Sequence, residues 1–155
     1  MDNKVFLETW EIHNRINLYL LDAVGPASLN SLSASKGRNV GEQFAHVHNV
    51  RLMWLKSAAP ELLKGLTKLE KENALDKKQL LKSLADSSVA IRSLLEQSMA
   101  QGGNVKGFKP HVTAFLGYLI SHESHHRGQI ALSLKQAGQP LDKKILSGIW
   151  EWGVR

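Results

Sequence analysis

The sequence predicts an all-α protein, a four-helix bundle with a short C-terminal tail packed on it. Three observations carry that expectation. Apolar residues recur at three- and four-residue spacing, no stretch alternates for long as a strand would, and start and stop signals cut the pattern into four long segments. With 155 residues the chain falls short of the ~250 at which cores are commonly divided, so residues 1–155 read as one domain.

The first segment runs from about Lys4 to Val24. Phe6, Trp10, His13, Asn17, Leu20 and Val24 form its stripe, widened by Ile16 and Leu21. Gly25-Pro26 ends it, because proline cannot donate to the helix and disfavours helix in the residue before it. The Ser-rich stretch Ala27 to Gly37 reads as a loop. The second helix starts at Asn39, which with Glu42 three residues on makes a capping box. Its stripe is Gln43, His46, Val50 and Met53, flanked by Phe44, Val47 and Trp54, and Ala59-Pro60 closes it. Gly65 interrupts the Leu-rich residues 61–73, which read as a partly helical connection.

Asp76 with Gln79 marks the third start. Leu80, Leu84, Ile91, Leu94 and Leu95 carry that helix to about Ala100, before Gly102-Gly103-Asn104. The fourth helix opens near Pro110, where a missing amide costs nothing. It runs to Ala137, with Gly138 in the left-handed position beyond. Val112, Phe115, Leu119, His122, His126 and Gln129 form its inward stripe. Pro140 to Arg155 is the tail, with Trp150 and Trp152 folded back on the bundle.

Composition excludes several classes. The chain has no Cys, so neither a disulfide framework nor a thiolate metal site is possible, and a reducing cytoplasm is the expected location. No apolar run approaches the ~20 residues of a membrane span, and Met1-Asp2-Asn3-Lys4 lacks the character of a secretion signal. The net charge of +6 would suit a polyanion, yet the bases are scattered and no aromatic-rich base-stacking motif accompanies them. They read as a solvated surface rather than a nucleic-acid site.

Bundles build ligand and metal sites between facing helices, so inward polar residues matter most. Of the seven His, four fall on inward stripes: His13, His46, His122 and His126. His122 and His126, four apart, can converge on one ion from one helix face. His46 is the best third ligand, and His48, about 200° further round the helix, cannot share its direction. His13 is a possible fourth ligand or a partner behind the ligands. His111, near a helix start, and His125, one position off the stripe, read as solvated. Three neutral imidazoles leave an ion its full charge and an open position, enough to acidify a bound water or thiol. Zinc or nickel suits such donors best, with iron and manganese also possible. Gln129 and Glu123 are the candidate catalytic residues. Gln129 can hydrogen-bond a ligand, with a packing amide as its alternative. Glu123 is a general base or a support to the ligands, with an exposed carboxylate as its alternative. Arg127 reads as a surface-pairing residue.

His122-Glu123-Ser124-His125-His126 also matches H-E-x-x-H, the zinc-protease motif. The longer signature fails, since Gly128 comes one residue early and Leu132 stands where a third His belongs. Protease folds also present a strand edge, and no sheet is expected here.

Residues His122 to Ile130 resemble the H-x-x-x-H-R-G-Q motif of the DinB-like (DinB/YfiT-type) metalloprotein superfamily. His46 to Leu55 resembles that family's single-His segment, with Trp54 as the aromatic eight residues on. The Trp10 to Asn14 region and Ala137-Gly138 also fit, so the resemblance spans nearly the whole chain. It implies a bundle holding one divalent ion on His46, His122 and His126. It further implies relatives similar to thiol-dependent enzymes, including low-molecular-weight-thiol S-transferases and maleylpyruvate isomerase, and frequent pairing as homodimers. Arg51 departs from the pattern, which frequently has an acidic residue there. The expected function is therefore a metal-dependent enzyme, of thiol S-transferase or hydrolase type, acting on a small molecule, with a silent metal or ligand binder as the alternative.

Overall fold

Helices α1 (Asn3–Ala23), α2 (Val40–Ala58), α3 (Lys77–Ala100) and α4 (Val112–Gln136) make the bundle, and α5 (Lys143–Gly148) begins the tail. The computed structural model describes residues 3–155, so the reading of Met1 and Asp2 lies outside the described residues. Among the described residues no helix is long and apolar enough to cross a membrane.

The helix ends follow local chemistry. Asn39 caps α2 with both bonds of the box: its side chain accepts from the Glu42 amide at 2.8 Å, and Glu42 accepts from the Asn39 amide at 2.9 Å. Asp76 caps α3 through the Gln79 amide at 3.0 Å. The expected opening of α4 near Pro110 is corrected to Val112. His111 is the cap there, its Nδ1 accepting from the Ala114 amide at 3.1 Å. At the other end Gly138 takes φ +76°, and Gln139 N donates to Leu134 O at 2.8 Å, the crossed closure that a left-handed residue permits.

Two apolar clusters lie at opposite ends of the bundle. One joins Phe6, Trp10, Leu55, Leu94, Phe115 and Leu119; the other joins Leu20, Phe44, Val47, Leu84, Ile130 and Leu134. The early residues of α1 and α4 thus meet the late residues of α2 and α3. Helices α1 and α4 run one way and α2 and α3 the other. Parallel α2 and α3 need a connection as long as the bundle, and residues 59–76 supply it. Leu62, Leu63 and Leu66 pack on the first cluster, Leu69 and Ala74 on the second. Short 3₁₀ turns at Pro60–Leu63 and Lys71–Leu75 punctuate this crossover.

The α1 and α3 stripes are buried as expected. Helix α2 is rotated from its expected stripe, and on α4 Val112, Phe115, Leu119 and His126 are buried as expected. Met53 is 54% exposed, whereas Arg51 and His48 are interior, at 0% and 1%. On α4 the interior line passes through Glu123, and His122 and Gln129 are half-buried beside it. The Arg51 and Glu123 charges, which the stripes left outside, meet inside the bundle. The tail does fold back, since the Arg155 guanidinium lies 3.7 Å from the Tyr19 ring centroid. Trp152 is half-buried there, but Trp150 is 78% exposed, contrary to expectation.

Two glycines test this packing. A methyl on Gly41 would overlap the Ala74 carbonyl, whereas one on Gly117 meets nothing within 4 Å. Gly117→Ala is therefore expected to stabilise the fold by up to ~1 kcal/mol through helix propensity. Gly41→Ala, with the same propensity gain, is expected to destabilise it. Urea denaturation of the two variants checks the opposite signs.

Candidate metal centre

The α2 cap sets the phase of that helix and thereby aims His46, seven residues on, at α4. The structure brings His46, His122 and His126 together: one ring nitrogen from each lies within 4.8 Å of the other two. His122 Nε2 and His126 Nε2 are 3.2 Å apart. A tetrahedral ion with bonds of about 2.0–2.1 Å holds its nitrogens about 3.3 Å apart, so the α4 pair already has ligand spacing. His126 is buried, and His46 and His122 are half-buried, leaving one side towards solvent.

His126 Nδ1–H donates to Gln43 Oε1 at 2.6 Å. That bond fixes the tautomer and leaves the Nε2 lone pair aimed at His122. Without an ion, at least one lone pair of the cluster has no donor, because these imidazoles are neutral. Burial lowers His46 and His126 from 6.5 to about 4, with Arg38 and neighbouring imidazoles pushing the same way. Burial lowers His122 too, against the pull of the Glu123 carboxylate. Tyr118 stacks on the His122 ring, 6.1 Å between centroids and 17° between planes. His122 Nδ1 is buried without a partner among the described residues. Three unprotonated nitrogens at this spacing can hold a metal ion.

Glu123 is not the exposed carboxylate weighed from sequence; it is 1% exposed. Its Oε1 accepts from Arg51 Nε at 2.7 Å, and its Oε2 accepts from Arg51 Nη2, His13 Nε2 and Asn17 Nδ2, each at 2.7 Å. Four donors engage it, one on Oε1 and three sharing Oε2. Burial alone would raise its pKa, but the Arg51 charge and hydrogen bonds and the His13 contacts prevail and hold it well below the usual carboxylate range. It is a buried anion bound to Arg51, and that commitment tells against the free general base that a protease reading of H-E-x-x-H requires.

Other expectations change with it. His13 is no fourth ligand: its Nε2 serves Glu123, and its Nδ1 accepts from Arg127 Nη1 at 3.3 Å. Arg127 is not a surface pair either, since it donates to Asn17 Oδ1 at 2.6 Å and Ser124 Oγ at 2.7 Å. Arg51 completes its fork on Leu84 O at 2.9 Å and Ser87 Oγ at 3.3 Å, with its guanidinium 4.9 Å from the Trp10 ring centroid. His48 faces Ser83 O at 3.0 Å and Thr67 O at 2.8 Å, away from the cluster. His111 and His125 are exposed. Gln129 is half-buried, with no hydrogen bond among the described residues. Gln43, Asn17 and Arg51 are the supporting residues that sequence reasoning did not assign. For Gln43 a signal existed, because it lay on the same proposed stripe as His46, one turn earlier.

Two measurements follow. Glu123→Gln leaves Arg51 buried without its counter-charge and is expected to cost about 3–5 kcal/mol, whereas the paired replacement Arg51→Met with Glu123→Leu should recover most of that. Denaturant unfolding of both forms checks it. The pH response has a definite sign. Above 6.5 the imidazoles are neutral in both states and their stabilising effect is complete. As the pH falls from 6.5 towards 4, the unfolded chain takes up protons that folded His46 and His126 refuse, so the metal-free protein loses stability. Unfolding midpoints across that window should fall, and fall less in a His46→Gln/His126→Gln double variant.

No curated protein and no solved structure matches this chain. A family model described as "DinB family" matches residues 1–142, which takes in all four long helices and all three clustered histidines. The chain belongs to the DinB family.

Proposed function

We propose that this protein is a metal-dependent enzyme that transfers a small, thiol-bearing substrate to an electrophile, with His46, His122 and His126 holding one divalent ion. The observation that carries the reading is the cluster itself: three imidazole nitrogens within 4.8 Å of one another, with His126 held in one tautomer by Gln43. An all-imidazole donor set suits zinc or nickel best. Such an ion supplies Lewis acidity that favours a thiolate over a thiol.

The chain's residues set the rest. Gln43 orients His126, and the Arg51–Glu123 pair holds α2 against α4 so that His46 meets the α4 histidines. Glu123 acts by positioning, since its four hydrogen bonds hold it inside the bundle. The thiol proton leaves towards solvent on the half-exposed His46 side. Gln129, uncommitted and one turn beyond His126, is assigned as a ligand contact. Pairing of two chains as a homodimer belongs to the same proposal, and light scattering checks it.

The purified chain should hold about one divalent ion, and His122→Ala should lose it. His48→Ala should keep the ion while losing stability, because it breaks the contacts to Ser83 and Thr67. Gln43→Leu should weaken metal affinity roughly 10- to 100-fold. Elemental analysis and competition with a chelator read these outcomes, and turnover with a panel of thiols and electrophiles tests the activity. Metal-free wild type from metal-replete medium would overturn the assignment. Chelation should lower the melting temperature yet leave the helical signal at 25 °C, since the two apolar clusters do not include the ion's ligands. The loss is about 4 kcal/mol if the ion stands at a thousand times its dissociation constant.

A further inference from the structure

Beside His46 opens a cleft of about 650 Å³, a volume within the ~300–1,000 Å³ typical of small-molecule sites. One wall is α2, with Glu42, His46 and Asn49; the other is the crossover from Lys68 to Lys71. Two contacts build that second wall. Asn49 clamps Leu69 from both sides, its Nδ2 donating to Leu69 O at 2.8 Å and its Oδ1 accepting from Leu69 N at 2.9 Å. Gly41, having no side chain, lets the Ala74 carbonyl close down on α2.

The charges of the cleft divide unevenly. Glu42 is committed to the Asn39 amide at 2.9 Å. Glu70 caps the Lys71–Leu75 turn and pairs with Lys68 at 2.9 Å. Arg38 and Lys71 line the same cleft and make no hydrogen bond or ion pair among the described residues. Three cations, Arg38, Lys68 and Lys71, thus face two carboxylates, Glu42 and Glu70, and the excess charge of the cleft is positive.

We infer that the cleft selects a carboxylate-bearing small molecule, with the carboxylate on Arg38 and Lys71 and the reacting end at His46. This rests on the reading of the three histidines as the reacting centre and adds a substrate class to it. A guanidinium matches a carboxylate with two parallel donors, and Lys71 on the crossover wall adds a second positive charge. Arg38 is a specificity residue, outside the metal-holding set.

The test uses the full chain and two thiols of matched size, 3-mercaptopropionate and 3-mercapto-1-propanol. Binding is followed by ¹⁵N NMR at the Asn49 side-chain amide and the Leu69 backbone amide, in zinc-loaded and metal-free protein. The carboxylate is expected to bind about three- to tenfold more tightly than the alcohol. Arg38→Gln should abolish that preference and Lys71→Gln reduce it, both with unchanged zinc content. Equal affinities in the wild type, an undiminished preference in Arg38→Gln, or no response of Asn49 and Leu69 to either compound would overturn the inference. A chain that retains no zinc yet still prefers the carboxylate would sink the metal reading and sustain the cleft assignment.

Discussion

The buried pairing of Arg51 with Glu123 is the constraint on which the rest of the structure depends. Two charges at the centre of a bundle are tolerable only if each finds the other and spare donors and acceptors are filled. The fork of Arg51 meets both carboxylate oxygens, and His13, Asn17, Leu84 O and Ser87 complete the accounting. Such pairs are seldom more stabilising than a well-packed apolar core. What this one supplies is register. Turning either α2 or α4 by one residue would strand a full charge in the interior, and it would also move His46 or His122 out of the cluster.

This polar layer divides the apolar interior in two. Above and below it the bundle is ordinary core, with leucines and aromatics from all four long helices. Between them the chain carries His13, Asn14, Asn17, Arg51, Ser87 and Glu123, all buried. The three histidines sit at the α2–α4 edge of that layer. His126 is drawn inside by Gln43, and His46 and His122 stay half-buried, so one cluster has both a low-dielectric back and a side open to solvent.

Much of this was legible in the sequence, for stated reasons. Caps at Asn39 and Asp76 and the closure at Gly138 act over three or four residues, so local chemistry was enough. The α1 and α3 stripes consist mainly of apolar residues, so their period gave the inward face. The α2 face was misjudged, and the α4 face was only partly foreseen, because each has a charge at its centre. Periodicity scores Arg51 and Glu123 as outward, and nothing local to either shows a counter-charge 72 positions away. His48 was read as unable to share the direction of His46, as found, but its partners, Thr67 O and Ser83 O, are backbone atoms that no side-chain pattern encodes. The histidine cluster was more accessible. Its α4 half is an i, i+4 pair, and the third member has only to face them across one helix interface. The direction of the helices was not legible, because a long Leu-rich connection with a glycine in it fits either a parallel or an antiparallel neighbour.

That connection reaches its place by side-chain tethers rather than by any ladder of its own. Asn49 grips Leu69 as a strand partner would, and His48 meets Thr67. Its sequence is therefore unconstrained by helical period except where leucines touch the clusters. Drift along residues 67–71 can reshape one wall of the cleft while every histidine stays on a bundle helix. One wall of the cleft and the three clustered histidines are thereby carried on separate stretches of chain.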